Sequence, residues 1–427
     1  MSALRSQSWR ATCLPLRRTV VLSSAHNTSN PPKYARGYAA SPLTWARSNS
    51  RISTVFTALI AIGVVSTAYG VYEFYSAFTM WPKEVRGDLR AGIKAKNQGD
   101  FDISERYLRR ALRTALDMPL ADFSPEPHLK LSGIAIALAS VLEAADRPEP
   151  AYEVYSDALS RLRTSPDALS GPERMRAVAL ASKLGEMAEV FQLPVEEEER
   201  WLTWAVEELL RIVRDEGNKG RLVVEGAVRN DGNTPVMLAE LEMPPWVTKT
   251  DVGAPLEALG RFYSREGNVE YAIPLYLQAI NLLVPPKSSK KTSTVEERCR
   301  GAQLMNNLAE LSIRGEPTAT KRKQAEAWAR QGLSTIEQTK AAGKADAEDI
   351  MLCDEALAAV LFNLGSLLEM GGDFEESRSL YQRSLEQAKT IKMREGVMEA
   401  QTAIRRLDRA AKRRSGEESS PTPGSSQ

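Results

Sequence analysis

LEALGRFYSREGNVEYAIPLYLQAINLL, the stretch Leu256–Leu283, decides the fold. It holds two apolar patterns of helical period, broken at Gly267-Asn268. The first places Leu256, Leu259, Gly260 and Tyr263 on one face, and the second places Ala272, Tyr276 and Ala279 on another. The spacing predicts two antiparallel helices in close contact. Small residues (Gly260, Ala272, Ala279) sit where the helices cross, and large ones (Tyr263, Tyr276) fill the gaps beside them. Gly267-Asn268 ends the first helix and makes the tight turn. Further on, LFNLGSLLEMGGDFEESRSLYQRSLEQA, Leu361–Ala388, repeats the plan. There Leu361, Leu364, Gly365, Leu368, Gly372, Ser377, Tyr381 and Ser384 hold the matching places.

Working outward, four weaker units follow the same design. The first has Gly92, then Gly99-Asp100-Phe101, then Tyr107 to Leu112; the second has Leu138, Leu142, Ala151, Tyr155 and Ala158. The third pairs Arg174–Phe191 with Glu196–Leu210, using Leu184, Gly185, Trp201 and Ala205. The fifth in order runs from Leu304 to Ile313 and from Ala325 to Leu333, with a longer loop around Gly315-Glu316-Pro317. The period is about 34 residues, and these positions resemble those of tetratricopeptide (TPR) repeat proteins. The expected fold is all-α: a TPR-type helical-hairpin solenoid over residues 83–412, with about six repeats stacked because one repeat cannot bury its apolar face alone. A charged helix, roughly Met393 to Ala411, is expected to cap it. Residues 414–427 read as a disordered tail. Two stretches interrupt the array. Residues 214–250, rich in Gly, Asn and Pro, form a long insertion in which Arg221–Val228 is a candidate strand, and Val284–Thr294 is a polar basic loop. Each is either a binding loop or a tolerated surface loop.

The formal charge of +1 hides an asymmetry. Residues 1–72 hold no acid and eight basic residues, among them Arg5, Arg10, Arg17, Arg18 and Lys33. The remainder has 48 basic against 55 acidic residues, a net of −7. Such a body lacks the basic stripe that a nucleic acid partner requires. The acid-free arm has the composition of a mitochondrial transit peptide, and Arg36-Gly37-Tyr38 resembles a matrix-processing site. Residues 1–38 are therefore expected to be removed, leaving a matrix stub at 39–51. Ile52–Tyr72 has 21 residues without a charge. As a helix it is about 30 Å long and can cross the hydrocarbon core of a bilayer. The flanking charges are too even to orient it, so the orientation rests on the arm. A matrix-directed N-terminus followed by a stop-transfer span leaves the body in the intermembrane space.

The chain shows no phosphate loop, no nucleophile elbow and no paired metal motif. It has two histidines and three cysteines, too few for a His-rich metal site or a disulfide framework. No cofactor, no metal and no catalytic residue is expected. Cys299 and Cys353 read as buried small hydrophobes. His128 reads as a polar helix-entry residue, and Glu196–Glu199 as a solvated first turn favoured by the helix dipole. What remains is binding. The first helix of each repeat would line a groove whose inward positions include Arg261, Arg265, Asn306, Asn307, Glu310 and Asn363. These either hold an extended peptide or satisfy nearby helix ends. The lysines of a chaperone-type clamp are missing.

The layout of leader, one span near residue 60 and repeats to the end, together with the block Pro244–Ile280 (PPWVTKTDVGAPLEALGRFYSREGNVEYAIPLYLQAI), resembles the fungal TPR subunit of the mitochondrial inner-membrane i-AAA protease supercomplex. That resemblance implies an adaptor, not an enzyme. Its partners would be the i-AAA protease, the other adaptor subunit, unfolded or membrane-anchored substrate proteins, and the lipid bilayer. The alternatives of the same class are an assembly factor for a respiratory-chain complex and an outer-membrane import receptor.

Overall fold

In the computed structural model, the described residues are 80–222 (except 167), 244, 246–285, 293–315, 318–343 and 347–418, together with 62, 65–67 and 69. The repeat body is an all-helical, TPR-like solenoid, and no strand occurs among the described residues. Its helices run in hairpins: α1 (Lys83–Gln98) with α2 (Phe101–Asp117), α3 (Pro127–Ala144) with α4 (Pro148–Arg163), α5 (Gly171–Val190) with α6 (Val195–Leu222), α7 (Lys249–Arg265) with α8 (Val269–Leu283), α9 (Val295–Ser312) with α10 (Ala319–Ala341), and α11 (Ala347–Gly371) with α12 (Phe374–Thr390). A last helix, α13 (Arg394–Glu418), packs on α12 and touches α11. Each even helix also packs on the odd helix that follows it, so the hairpins stack into one array.

The local reasons are those the periodicity suggests. The glycine that closes the first helix of a hairpin adopts a left-handed backbone at Gly99, Gly267 and Gly372. The next amide then returns to a carbonyl five residues back: Asp100 to Ala95, Asn268 to Tyr263 and Asp373 to Leu368, at 2.8–2.9 Å. At the helix crossings a Cβ on Gly260 would lie 3.0 Å from the Tyr276 ring, and one on Gly365 3.1 Å from the Tyr381 ring. Glycine lets these backbones approach until the tyrosine ring fills the gap. In two hairpins a small hydroxyl completes the crossing: Ser104 donates to the Gly92 carbonyl (2.8 Å) and Ser377 to that of Gly365 (2.7 Å). The core runs along the array, from Val85 and Phe123 through Leu184 and Leu209 to Phe262, Leu308, Leu364 and Tyr381, all buried.

Several expectations need correction. Residues 214–222 are not insertion, because α6 continues through Leu222. The candidate strand thus begins inside a helix, and its remainder, 223–228, lies outside the described residues. The last helix extends to Glu418, past the expected boundary at 414. Residues 419–427, the leader 1–38 and the stub 39–51 lie outside the described residues. So does the span 52–72, apart from Ile62, Val65, Ser66, Thr67 and Tyr69, which are helical and exposed. Among the described residues the one helix long and apolar enough to cross a membrane is Asp349–Gly371, within α11. Half of that window is buried against its neighbours, as suits the core helix of a repeat.

Cys299 and Cys353 are buried, as expected of small hydrophobes, but they are also joined: a disulfide links α9 to α11 across a Cα–Cα distance of 5.0 Å. Two cysteines sufficed because the stacking brings the two helices face to face.

Candidate functional site

The backbones of the odd-numbered helices approach one another from α3 to α13, whereas among the described residues no pair of even helices comes as close; the even layer is joined through long side chains, Tyr152 of α4 to Glu197 of α6 and Arg330 of α10 to Glu376 of α12. The layer whose members meet is the inside of the curve, so the odd helices line the inner face. Each neighbouring pair there is bridged by a polar contact. Lys96 Nζ of α1 donates to Ser140 Oγ of α3 at 2.6 Å. Lys183 of α5 pairs with Glu143 of α3 at 3.0 Å, and Arg265 of α7 with Glu189 of α5 at 2.9 Å. Arg314, just past α9, donates to the Ser264 carbonyl of α7. Asn363 Nδ2 of α11 donates to Asn306 Oδ1 of α9 at 3.1 Å. Arg406 of α13 grips Glu369 of α11 through two bonds, Nε at 2.7 Å and Nη2 at 2.5 Å.

A second device supports these bridges from the outer layer. A residue of the even helix reaches a partner twelve positions earlier on the odd helix. Tyr155 donates to Glu143 at 2.6 Å and Tyr381 to Glu369 at 2.8 Å. Burial, followed by the Glu143 carboxylate, pushes the Tyr155 phenol far up; burial and Glu369 push that of Tyr381 up to about 12. Both phenols are therefore donors at neutral pH. For Glu369, burial works to raise the pKa, but Arg406 and Tyr381 together outweigh it and hold the carboxyl below its ordinary range.

The six residues expected in a groove fall into two groups. Arg265, Asn306 and Asn363 form bridges between repeats. Arg265 is the most engaged: it contacts Glu189 at 2.9 Å, Glu198 at 2.7 Å and Glu266 at 3.3 Å, and lies over the Phe262 ring. Burial opposes its charge, yet the Glu198 and Glu189 carboxylates raise its pKa. Arg261, Asn307 and Glu310 are less engaged. Arg261 is 40% exposed and makes a long contact with Glu189, at 3.9 Å. Asn307 is half-buried, and Glu310 pairs with Arg314 at 3.3 Å. These three retain capacity to bond an extended chain laid along α7 and α9.

The glutamate run at the start of α6 is not the solvated turn expected. Only Glu196 is exposed. Glu197 accepts from Tyr152 at 2.7 Å, Glu198 is buried against Arg265, and Glu199 accepts from Tyr263 at 3.0 Å. For Glu198, burial outweighs the Arg265 contact and raises the pKa. His128 is the polar entry residue expected: its amide donates to Glu173 at 3.0 Å and its Nε2 lies 3.2 Å from Ser165 Oγ. Trp246 sets its indole against Gly171 at the start of α5, where a Cβ would come within 2.3 Å of the ring.

Comparison with known proteins fits this geometry. Residues 256–290 match the tetratricopeptide repeat family. A TPR repeat-containing protein of Schizosaccharomyces pombe is 25% identical over 340 residues, covering 78% of this chain and 80% of its own. Among solved structures, BtubC of P. vanneervenii is similar at 16% identity, with a TM-score of 0.45, covering 77% of this chain and 96% of its own. The S. pombe nuclear import adaptor Nro1 is similar at 12% identity and a TM-score of 0.40, covering 75% and 95%. The chain carries TPR-type repeats, and repeats of this type suggest a protein-binding or adaptor role; the fold is typically a scaffold and not catalytic.

Proposed function

We propose that this chain is a membrane-anchored TPR adaptor of the mitochondrial inner membrane, with its repeat body in the intermembrane space. There it binds unfolded or membrane-anchored proteins and delivers them to the i-AAA protease. The observation that carries the binding half is the inner face: a layer of odd helices stiffened by bridges between repeats, on which Asn307 is half-buried and Arg261 and Glu310 make only long ion pairs at 3.9 and 3.3 Å. A rigid layer of this kind captures an extended chain without first ordering itself. The anchoring half rests on the sequence: an acid-free basic arm, then 21 uncharged residues, then the acidic body. The naming of the protease rests on the resemblance of the whole layout and of the Pro244–Ile280 block.

Protease treatment of intact mitochondria and of mitoplasts tests the compartment. Protection in the former and digestion in the latter is expected, and digestion in both would overturn it. Purification in mild detergent tests the partner: AAA protease subunits should co-purify, and their absence would favour the assembly-factor alternative. For the face itself, Arg261→Glu combined with Asn307→Ala should weaken capture of a membrane-anchored reporter while leaving helical content unchanged. Unaltered capture would discard this face.

A further inference from the structure

The Cys299–Cys353 disulfide lies where no oxidant can reach it in the folded body. Its two cysteines are 0% and 1% exposed and pack among Ala302, Ile336, Ala356 and Val360. Attack on a disulfide needs access to sulfur, so the bond can be neither made nor exchanged once α9 and α11 have packed. The sequence offers the pair no competitor. The third cysteine, Cys13, lies in the leader that the proposed processing would remove. A mature body then has two thiols and one possible pairing.

The location of the bond shows what it holds. On α9, Asn306 lies seven residues, two turns, after Cys299; on α11, Asn363 lies ten residues after Cys353. The disulfide and the Asn306–Asn363 hydrogen bond therefore pin the same two inner-layer helices at two levels. The bond spans 54 residues, the reach of a whole hairpin and its neighbour.

We infer that the body is oxidised at Cys299 and Cys353 by thiol–disulfide exchange with a disulfide-carrying protein before the last two repeats pack, and so matures in an oxidising compartment. One cysteine thiolate attacks the donor's disulfide, giving a mixed disulfide and one donor thiol. The second cysteine attacks the mixed bond, closing Cys299–Cys353 and releasing the second donor thiol. Two electrons and two protons pass to the donor, and the balance is complete. Mesophile cytosol and mitochondrial matrix keep thiols reduced. The inference thus deepens the proposed siting of the body and relies on that reading only for the identity of the compartment.

The test is a thiol count on the mature chain, which has lost Cys13 with the leader. Cells are quenched in acid to freeze exchange, and the denatured protein is treated with a maleimide-coupled polymer before or after reduction. The deciding count is taken on the wild-type chain, so it does not depend on whether a variant folds. No adduct before reduction and two after it are expected. One adduct without reduction is expected for Cys353→Ser. Two adducts on the unreduced wild-type chain would overturn the inference, and would do so even if protease protection places the body in the intermembrane space. Conversely, an oxidised pair on a body digested in intact mitochondria would sustain the oxidative step and overturn the proposed compartment.

Discussion

Arg265 of α7 holds Glu198 of α6 at 2.7 Å, and the carboxylate it holds is 6% exposed. The ion pair joins consecutive repeats through a charge that water barely reaches. Burial raises the pKa of Glu198 even with the guanidinium in place, so the pair is a weak source of net stability but a costly one to break. Arg265→Ala would strand the carboxylate. A loss of about 2–3 kcal/mol is expected, reduced from the value for a fully buried pair because the arginine is one-third exposed. Arg261→Ala, which gives up only a 3.9 Å contact to Glu189, should cost less than about 0.5 kcal/mol. Urea midpoints of the two variants check the difference. Adding Glu198→Gln to Arg265→Ala should recover much of the loss, and equal effects of the two single substitutions would show that the pair does not join the repeats.

The two most legible hairpins have glycine at the turn, as the first and fifth do, and at the second and third the turn shows one reason for a weaker signal. In the second and third hairpins the left-handed turn position is filled by Asp146 and Gln192, with φ of 57° and 54°. The same five-residue return bonds form there, Arg147 to Leu142 and Leu193 to Ala188, at 2.9 Å. The device is identical, but the residue that announces it is missing. Helix existence therefore followed from the apolar period, while the end of α6 and of α13 did not, since polar residues can extend a helix whose inner face is already anchored. The groove was legible as a set of inward positions and no further. Whether Arg265 or Arg261 is free depends on Glu189 and Glu198, which come from another repeat, and nothing local in the sequence pairs them. The twelve-residue spacing of Glu143 with Tyr155 and of Glu369 with Tyr381 was a signal that could have found the supporting contacts.

Two helical glycines should respond to alanine in opposite directions. A Cβ on Gly92 of α1 would lie 2.7 Å from Leu108 Cγ, and Leu108 is wholly buried, so it has no room to yield. Gly92→Ala should cost about 1–3 kcal/mol through overpacking. Gly133 of α3 has nothing within 4 Å of its would-be Cβ. Gly133→Ala gains helix propensity without a clash and should stabilise by up to about 1 kcal/mol. Thermal midpoints of the two variants test the pair of signs. A loss at both positions would mean that α3 carries a neighbour against Gly133.

The capping helix should detach in a pH-dependent way. Glu369 has its pKa lowered in the folded state, because Arg406 and Tyr381 outweigh its burial. An unfolded glutamate titrates near about 4.3. A carboxyl with a depressed folded value stabilises the fold fully above the unfolded pKa, and loses that contribution as pH falls through the folded one. Arg406→Gln removes the cation and leaves burial in command, which lifts the Glu369 pKa. The variant should therefore be less stable than wild type at pH 7, by about 1–2 kcal/mol given that Arg406 is half-exposed. Once the pH has fallen below the depressed folded-state pKa of wild-type Glu369, so that the carboxyl is protonated in both proteins, the two stability curves should converge. Melting temperatures measured from pH 7 down through the titration of Glu369 decide the matter. A gap that stays constant across the range would assign the loss to packing of the arginine stem, whereas a gap that closes in acid assigns it to the charge that fastens α13 to the inner face.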